Sequence, residues 1–334
     1  AWSAPMAIFM AGVVPFTSPQ MEFRAAALKT ATRCDRVSPE EAARLLHESK
    51  EMVWVDIVSE DTPEARELLI EKFGFHELAV EDALRQDERP GVQDFEDTLF
   101  FVMPALQDGI VEVGFFLTEK ALVTVASKPL KVVEDWFTRW EKRPARLDHP
   151  SYLAHAIVDA IVDGFFPLLD DLEDQADALG DRVFEGDTSN LRELLHIKRK
   201  LIELRRALVP ARDVLNQLLR RDVGTIPEEA RIYFQDVFDH SLRLVEAVDV
   251  QRDTLTSLLD VHLSAVSNNL SQVVKKMTVF STVLMTMALV AGVYGMNFER
   301  IPELHWAWGY PFAIFLMFAL GGFVILGFRI AKWL

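Results

Sequence analysis

The sequence predicts an α/β domain followed by a long helical stalk and two C-terminal transmembrane helices. Three observations carry this. The 334 residues hold 51 acidic and 35 basic side chains, a formal charge of −16, yet the mean hydropathy is +0.12. Such an acidic chain keeps a positive hydropathy only if charged and apolar residues occupy different stretches. They do: Met277–Phe298 and Trp306–Phe328 contain no charged residue, and each is close to the ~20 apolar residues that cross a bilayer. Finally, Glu228 to Ala291 runs 64 residues without glycine or proline, about 96 Å of helix at 1.5 Å per residue. This rod starts among charged residues and enters the first span with no linker, so it can transmit movement.

Residues 1–21 carry no charge and include the apolar run Met6–Phe16, broken up by Pro5, Pro15 and Pro19. The run is too short to span, and a secretory leader would have a basic start. It reads as a tag-like or disordered extension, with Met21 a possible native start. Residues 22–150 read as α/β. Ser38–Ser49 is a helix opened by Ser38 as cap and Pro39 as first residue. Met52–Val58 is a strand, rich in β-branched and aromatic residues. Thr62–Phe73 and His76–Arg85 are helical. Thr98–Leu106 and Gly114–Ala126 are strands, the latter with a turn near Glu119–Lys120. Helices alternating with strands suggest the α/β class.

After Pro150 the pattern is helical. Tyr152–Phe184 is a long helix with acids at exposed positions, and Asp170, Asp171, Glu173, Asp174, Asp177 and Asp181 read as solvated carboxylates. Ser189–Arg221 is a basic helix containing Arg192, Lys198, Arg199, Lys200, Arg205 and Arg206, with Pro210 as a kink. Either the acidic and basic helices pair, or both present solvated faces. The stalk, 228–297, follows and becomes the first span at about 277–297. A loop, 298–305, joins it to the second span, 306–328, and 329–334 is a basic tail. Lys275 and Lys276 precede the first span and Arg329 and Lys332 follow the second, so the positive-inside rule puts both termini in the cytoplasm and the loop outside.

Charge narrows the function. The part from Lys275 onward carries +3, so −16 overall leaves −19 on the preceding 274 residues. That sign argues against nucleic-acid binding, which needs basic side chains to neutralise phosphates, and favours cations. The single cysteine, Cys34, excludes a disulfide framework and cysteine-rich metal sites. No P-loop for ATP is present. Neither span holds Asp, Glu, His, Lys or Arg, whereas proton-coupled carriers place such groups at membrane depth.

Two helices cannot enclose a pore, so transport requires an oligomer. Val274, Met277, Ser281, Met285, Ala288 and Gly292 recur at spacings of three and four on one helical face. The stripe either lines a narrow, mostly apolar pore that gates by dewetting or packs against the second span. The first span ends Tyr294-Gly295-Met296-Asn297-Phe298-Glu299, followed by Pro302-Glu303-Leu304. Gly295 permits a tight turn, and Asn297 would present a ring of amide oxygens. Magnesium sheds water reluctantly, and neutral amides can hydrogen-bond its hydration shell.

On these residues the chain resembles the CorA family of magnesium and cobalt channels, whose signature is Gly-Met-Asn at this position. The resemblance extends over 73–97, 157–166, 201–215, 233–240 and 258–268. It implies a funnel-shaped homopentamer in the inner membrane, with magnesium, and possibly cobalt, as cargo. It also implies regulatory magnesium bound between neighbouring subunits by Asp82 and Asp236, with Glu81 and Asp159 in a second site beside Asp236. The implied ion path runs from Tyr294, Gly295, Met296 and Asn297 at the mouth, through the stripe, to Asp260 in the vestibule. The chain departs from relatives at Thr286, where some have proline, and at Ala288 and Ser271, where relatives have pore-lining polar residues. Two other readings stay open. One is the related zinc branch, disfavoured by eight histidines with no evident ligand pair. The other is a membrane scaffold that conducts nothing. None of these readings is an enzyme.

Overall fold

The computed structural model describes residues 21–30, 33–49, 51–85, 90–95, 97–144, 147–184, 191–220, 225–297 and 302–333. It divides into two compact units. The first comprises the residues through Ala178 together with Glu193–Leu255. The second comprises Leu179–Arg192 and the residues from Thr256 onward.

The first unit is built on a mixed seven-stranded sheet of order β2-β1-β3-β7-β6-β5-β4. The strands are β1 (Met21–Thr30), β2 (Arg33–Arg36), β3 (Val53–Ser59), β4 (Val92–Phe95), β5 (Thr98–Leu106), β6 (Ile110–Leu117) and β7 (Ala121–Ala126). Among the described residues, only β3 and β7 pair in parallel. One face is covered by α1 (Pro39–Glu48), α2 (Pro63–Arg66), a π-helical turn (Glu67–Lys72) and α3 (Glu77–Arg85). These bury Leu45, Leu69, Phe73 and Val80 against Val55, Ile57, Phe100 and Phe116. On the other face, α4 (Lys131–Lys142) sets Phe137 and Trp140 against Trp54, with ring centroids 4.9 and 5.9 Å away. Beside α4, α5 (Pro150–Asp163) packs on β5, β6 and β7.

Sequence and local geometry agree at α1, where the Ser38 side chain accepts a hydrogen bond from the Glu41 N–H and Pro39 is the first helical residue. Thr62 caps α2 in the same way through the Ala65 N–H. Elsewhere the structure corrects the reading. Met21, assigned to the extension, opens β1 and is buried in the core; residues 1–20 lie outside the described residues. The segment Thr62–Phe73 is α-helical only to Arg66, then widens, and the Phe73 N–H reaches back five residues to the Leu68 carbonyl. The turn expected near Glu119–Lys120 is present: it joins β6 to β7, and there the Thr118 hydroxyl accepts from the Lys120 and Ala121 N–H groups. Strands β1, β2 and β4 and helix α4 are additions.

The pattern over 152–184 is two helices. Helix α5 ends at Asp163 and α6 (Phe166–Phe184) begins after Gly164 and Phe165. Pro167 explains the break, because it has no N–H to give the Asp163 carbonyl and its ring crowds that position. Pro150–Val183 also has the length and apolarity of a membrane span, but 50% of its apolar window is buried in the chain. Its apolar residues are core residues, Ile157, Val158 and Ile161 among them. Helix α7 (Leu191–Arg220) continues through Pro210, and the long helix α8 covers Glu228–Tyr294.

In the second unit, the continuation of α8 is followed by a 3-10 turn (Pro302–His305) and by α9 (Gly309–Ile330). The windows in α8 and α9 are long and apolar enough to span, and each is only 11% buried. Gly309 starts α9 three residues later than the sequence reading. A Cβ at Gly309 would collide with the Glu303 carbonyl oxygen, so the turn before α9 requires glycine there.

Candidate functional site

In the first unit, chemistry concentrates where α5 meets α8. On α5, Tyr152, His155, Asp159 and Asp163 recur at spacings of three and four and share one face. On α8, Tyr233, Asp236 and His240 do the same. Aromatic contacts hold the two faces together: Tyr152 and Tyr233 stand edge to face at 5.8 Å, and His155 lies 5.4 Å from Tyr233 and 5.6 Å from Phe234. About two turns further along each helix, His240 Nδ1 lies 3.0 Å from Asp163 Oδ1, and His240 Nε2 lies 3.9 Å from Asp236 Oδ2. The ligand atoms of Asp159, Asp163 and His240 all fall within 4.8 Å of one another.

Electrostatics match this crowding. Asp159 is held above the ordinary carboxylate value, first by burial and then by the Asp163 charge, with Asp236 adding to it; His155 and His240 act against the shift. The His155 imidazole is held below its usual value by burial, opposed by Asp159 and Asp236. Carboxylates that repel one another when empty are relieved by a hard cation with oxygen ligands. An imidazole among them adds the nitrogen that cobalt, nickel and zinc favour. The residues present therefore suit a divalent cation.

The implied regulatory residues fall into two places. Asp159 and Asp236 meet here. Asp82 and Glu81 lie on α3, where Gln93 Nε2 donates to Asp82 Oδ2 at 2.7 Å and Arg85 pairs with Glu81. Gly114 lets α3 sit close to the sheet: a Cβ there would meet Ala83 Cβ at 3.0 Å and Phe100 at 3.3 Å. Sequence reasoning missed Asp163 and His240. Each stands four residues beyond a named candidate, on the same helical face, and that spacing was the available signal. His240, for which the sequence offered no evident partner, lies beside Asp163.

In the second unit, Val274, Met277, Ser281, Met285, Ala288 and Gly292 are all exposed on α8. The side of α8 facing α9 is a different one: Gly321 of α9 sits against Val283 and Met287. Thr278, Thr282 and Thr286 turn their hydroxyls to the carbonyls four residues back, at 2.8 Å each. Asp260 is exposed. At the end of α8, the Gly295 N–H donates to the Ala291 carbonyl at 2.9 Å, the Met296 N–H approaches that of Val293 at 3.4 Å, and Asn297 emerges exposed. Phe298–Ile301, including Glu299 and Arg300 of the motif and loop, lie outside the described residues.

Comparison with known proteins agrees with this architecture. A family model described as "CorA-like Mg2+ transporter protein" matches residues 49–332. The chain belongs to the CorA family. This makes it a divalent-cation transport protein of the membrane, not an enzyme. The chain is 33% identical over 301 residues to the cobalt/magnesium transport protein CorA of Thermotoga maritima, covering 86% of this chain and 85% of that one. It is 24% identical over 231 residues to the zinc transport protein ZntB of Pectobacterium atrosepticum, covering 69% and 70%. Its fold matches the complete structure of the CorA magnesium transporter from Methanocaldococcus jannaschii with a TM-score of 0.79, at 23% identity, over 93% of this chain and 98% of that one.

Proposed function

We propose that this CorA-family chain is one subunit of a homopentameric channel that admits magnesium, and cobalt, through the inner membrane. The observation that carries this reading is the exposed face of α8 from Val274 to Gly292, uncharged and turned from α9, ending at Gly295-Met296-Asn297. Five such faces around an axis make a narrow apolar conduit, with a ring of Asn297 amides at its mouth and Tyr294 beneath. Asn297 holds the hydrated ion by hydrogen bonds to its water shell. With no Asp, Glu, His, Lys or Arg in either span, the driving force is the membrane potential. A divalent cation entering a negative interior gains about 4.6 kcal/mol per 100 mV, twice the value for a single charge.

Both termini and the sheet-bearing unit face the cytoplasm. Cytosolic magnesium closes the channel when bound by Asp82 of one subunit and Asp236 of the next, with Glu81 and Asp159 beside them; Asp260 gathers cations at the inner vestibule. The purified protein in liposomes is expected to pass magnesium under an inside-negative potential, and Asn297→Ala to abolish that flux. Unchanged flux in that variant would defeat the pore assignment and favour a non-conducting scaffold.

A second reading, zinc transport, is supported by the nitrogen ligand His240 within the carboxylate cluster and by the likeness to ZntB. Zinc uptake that follows an imposed proton gradient, without magnesium flux, would establish it instead.

A further inference from the structure

Among the described residues, some charges of the acidic and basic helices noted in the sequence find no partner within the chain. On α6, Asp170, Asp174 and Asp177 lie on one face and are exposed. On α7, Leu195, Arg199, Ile202 and Arg206 recur at spacings of four, three and four, which also places them on one face. Leu195 is 47% and Ile202 36% exposed, and both arginines are exposed. Among the described residues, none of these three acids and neither arginine takes part in an ion pair or hydrogen bond. Their neighbour Arg205 does, bonding Asp249 of α8 at 2.7 Å. The unmatched charges are therefore those of the outward faces.

We infer that the Arg199–Arg206 face of α7 docks on the Asp170–Asp177 face of α6 in a second copy of this chain. This rests on the reading above that the protein is an oligomer. Asp170 and Asp177 are seven residues apart, as are Arg199 and Arg206, so each pair spans about 10.5 Å of helix and the two rows match in length. Leu195 and Ile202 place apolar surface beside and between the arginines, which such a contact would bury. Arginine suits the contact because its planar fork binds carboxylates in bidentate fashion. The chain carries −16 overall, so two copies repel over most of their surface and attract where this basic face meets an acidic one. The two faces differ, so the contact is head-to-tail, which generates a ring when the rotation closes.

The test uses the full-length protein in detergent, in a Cys34→Ser background. One tagged population carries Asp177→Cys and a differently tagged one Arg206→Cys. A short bis-maleimide is expected to link the two tags when they are co-expressed, and to link neither population to itself. Charge reversal by Arg199→Glu with Arg206→Glu is expected to lower the temperature at which the oligomer dissociates, and Asp174→Lys with Asp177→Lys to restore it. No link and no rescue, in a protein that light scattering shows to be oligomeric, overturns this contact and leaves the channel reading standing. A monomer by light scattering overturns both. A dye at position 206 that shifts on phosphatidylglycerol vesicles, with no link between copies, overturns the contact in favour of a lipid surface.

Discussion

The imidazole of His240 lies 3.0 Å from the carboxylate of Asp163, tying α8 to α5 across 77 residues of sequence. Its other nitrogen faces Asp236, and Asp159 completes the group. Asp236 and His240 sit one turn apart on α8, so a cation held here would bridge α5 and α8 within the first unit.

Cation binding should appear first as stability. Asp159 is raised by burial, then by Asp163. A carboxyl raised in the folded state contributes stability that is fully present below its unfolded value and is lost as pH rises through the folded one. Metal-free protein is therefore expected to lose stability toward neutral pH, and magnesium to restore it. At a concentration 100-fold above Kd, mass action contributes about 2.7 kcal/mol. Asp159→Asn should melt higher than the parent in chelator at pH 7 and respond far less to magnesium. Calorimetry with chelator and with excess magnesium checks this; a parent melting temperature indifferent to both sinks it.

A second pH-dependent feature lies inside the sheet. Asp56 is buried, accepts from the Thr124 hydroxyl at 2.8 Å and faces Arg24 at 2.9 Å; Arg24 also reaches Glu134 of α4. Burial holds the Asp56 carboxyl above its ordinary value, with Arg24 opposing. Removing one partner of a buried pair costs about 3–5 kcal/mol, so Arg24→Met is expected to lower the urea midpoint at pH 7. By the same sign rule, the folded state resists ionising Asp56, so the deficit should shrink as pH falls and the carboxyl protonates. Urea titrations at pH 7 and pH 5 decide; an equal deficit at both would contradict the assignment.

Gly114 governs how closely α3, with Glu81 and Asp82, approaches the sheet. A methyl there meets Ala83 and Phe100, and overpacking of this kind costs about 1–3 kcal/mol. Gly114→Ala should destabilise the protein by that amount and weaken closure by magnesium while leaving maximal flux intact. Flux at low and high internal magnesium separates the two effects. A variant that loses maximal flux in proportion to closure would show that Gly114 serves general folding alone.

How much was legible in the sequence follows from what each residue signals. Ser38-Pro39 announced α1 because cap and first-turn chemistry are local. Strand β1 did not announce itself: Ala25, Ala26 and Ala27 favour strands poorly, and the segment is held by pairing with β2 and β3. Helix α4 did carry a signal, since Val133, Phe137 and Trp140 recur at helical spacing and are buried. The π-helical turn had none, because one extra residue in a turn leaves composition unchanged. At the site, resemblance supplied Asp159 and Asp236, while Asp163 and His240 needed the packing of α5 on α8 to reveal them.

The exposed methionines of α8 give the sharpest test of the conduit. Met277 is 69% and Met285 72% exposed, and neither lies on the side of α8 that Gly321 faces. If they line a conduit that closes by dewetting, a polar side chain should keep water in place and hold the path open. Met285→Asn is expected to conduct at internal magnesium levels that silence the parent, with oligomeric state unchanged. Substituting the α9-facing Met287 by Asn should instead disturb the packing of the two spans and lower the yield of assembled protein. Single-channel recording of both variants reads the difference, and a Met285→Asn protein that closes like the parent would remove Met285 from the ion path.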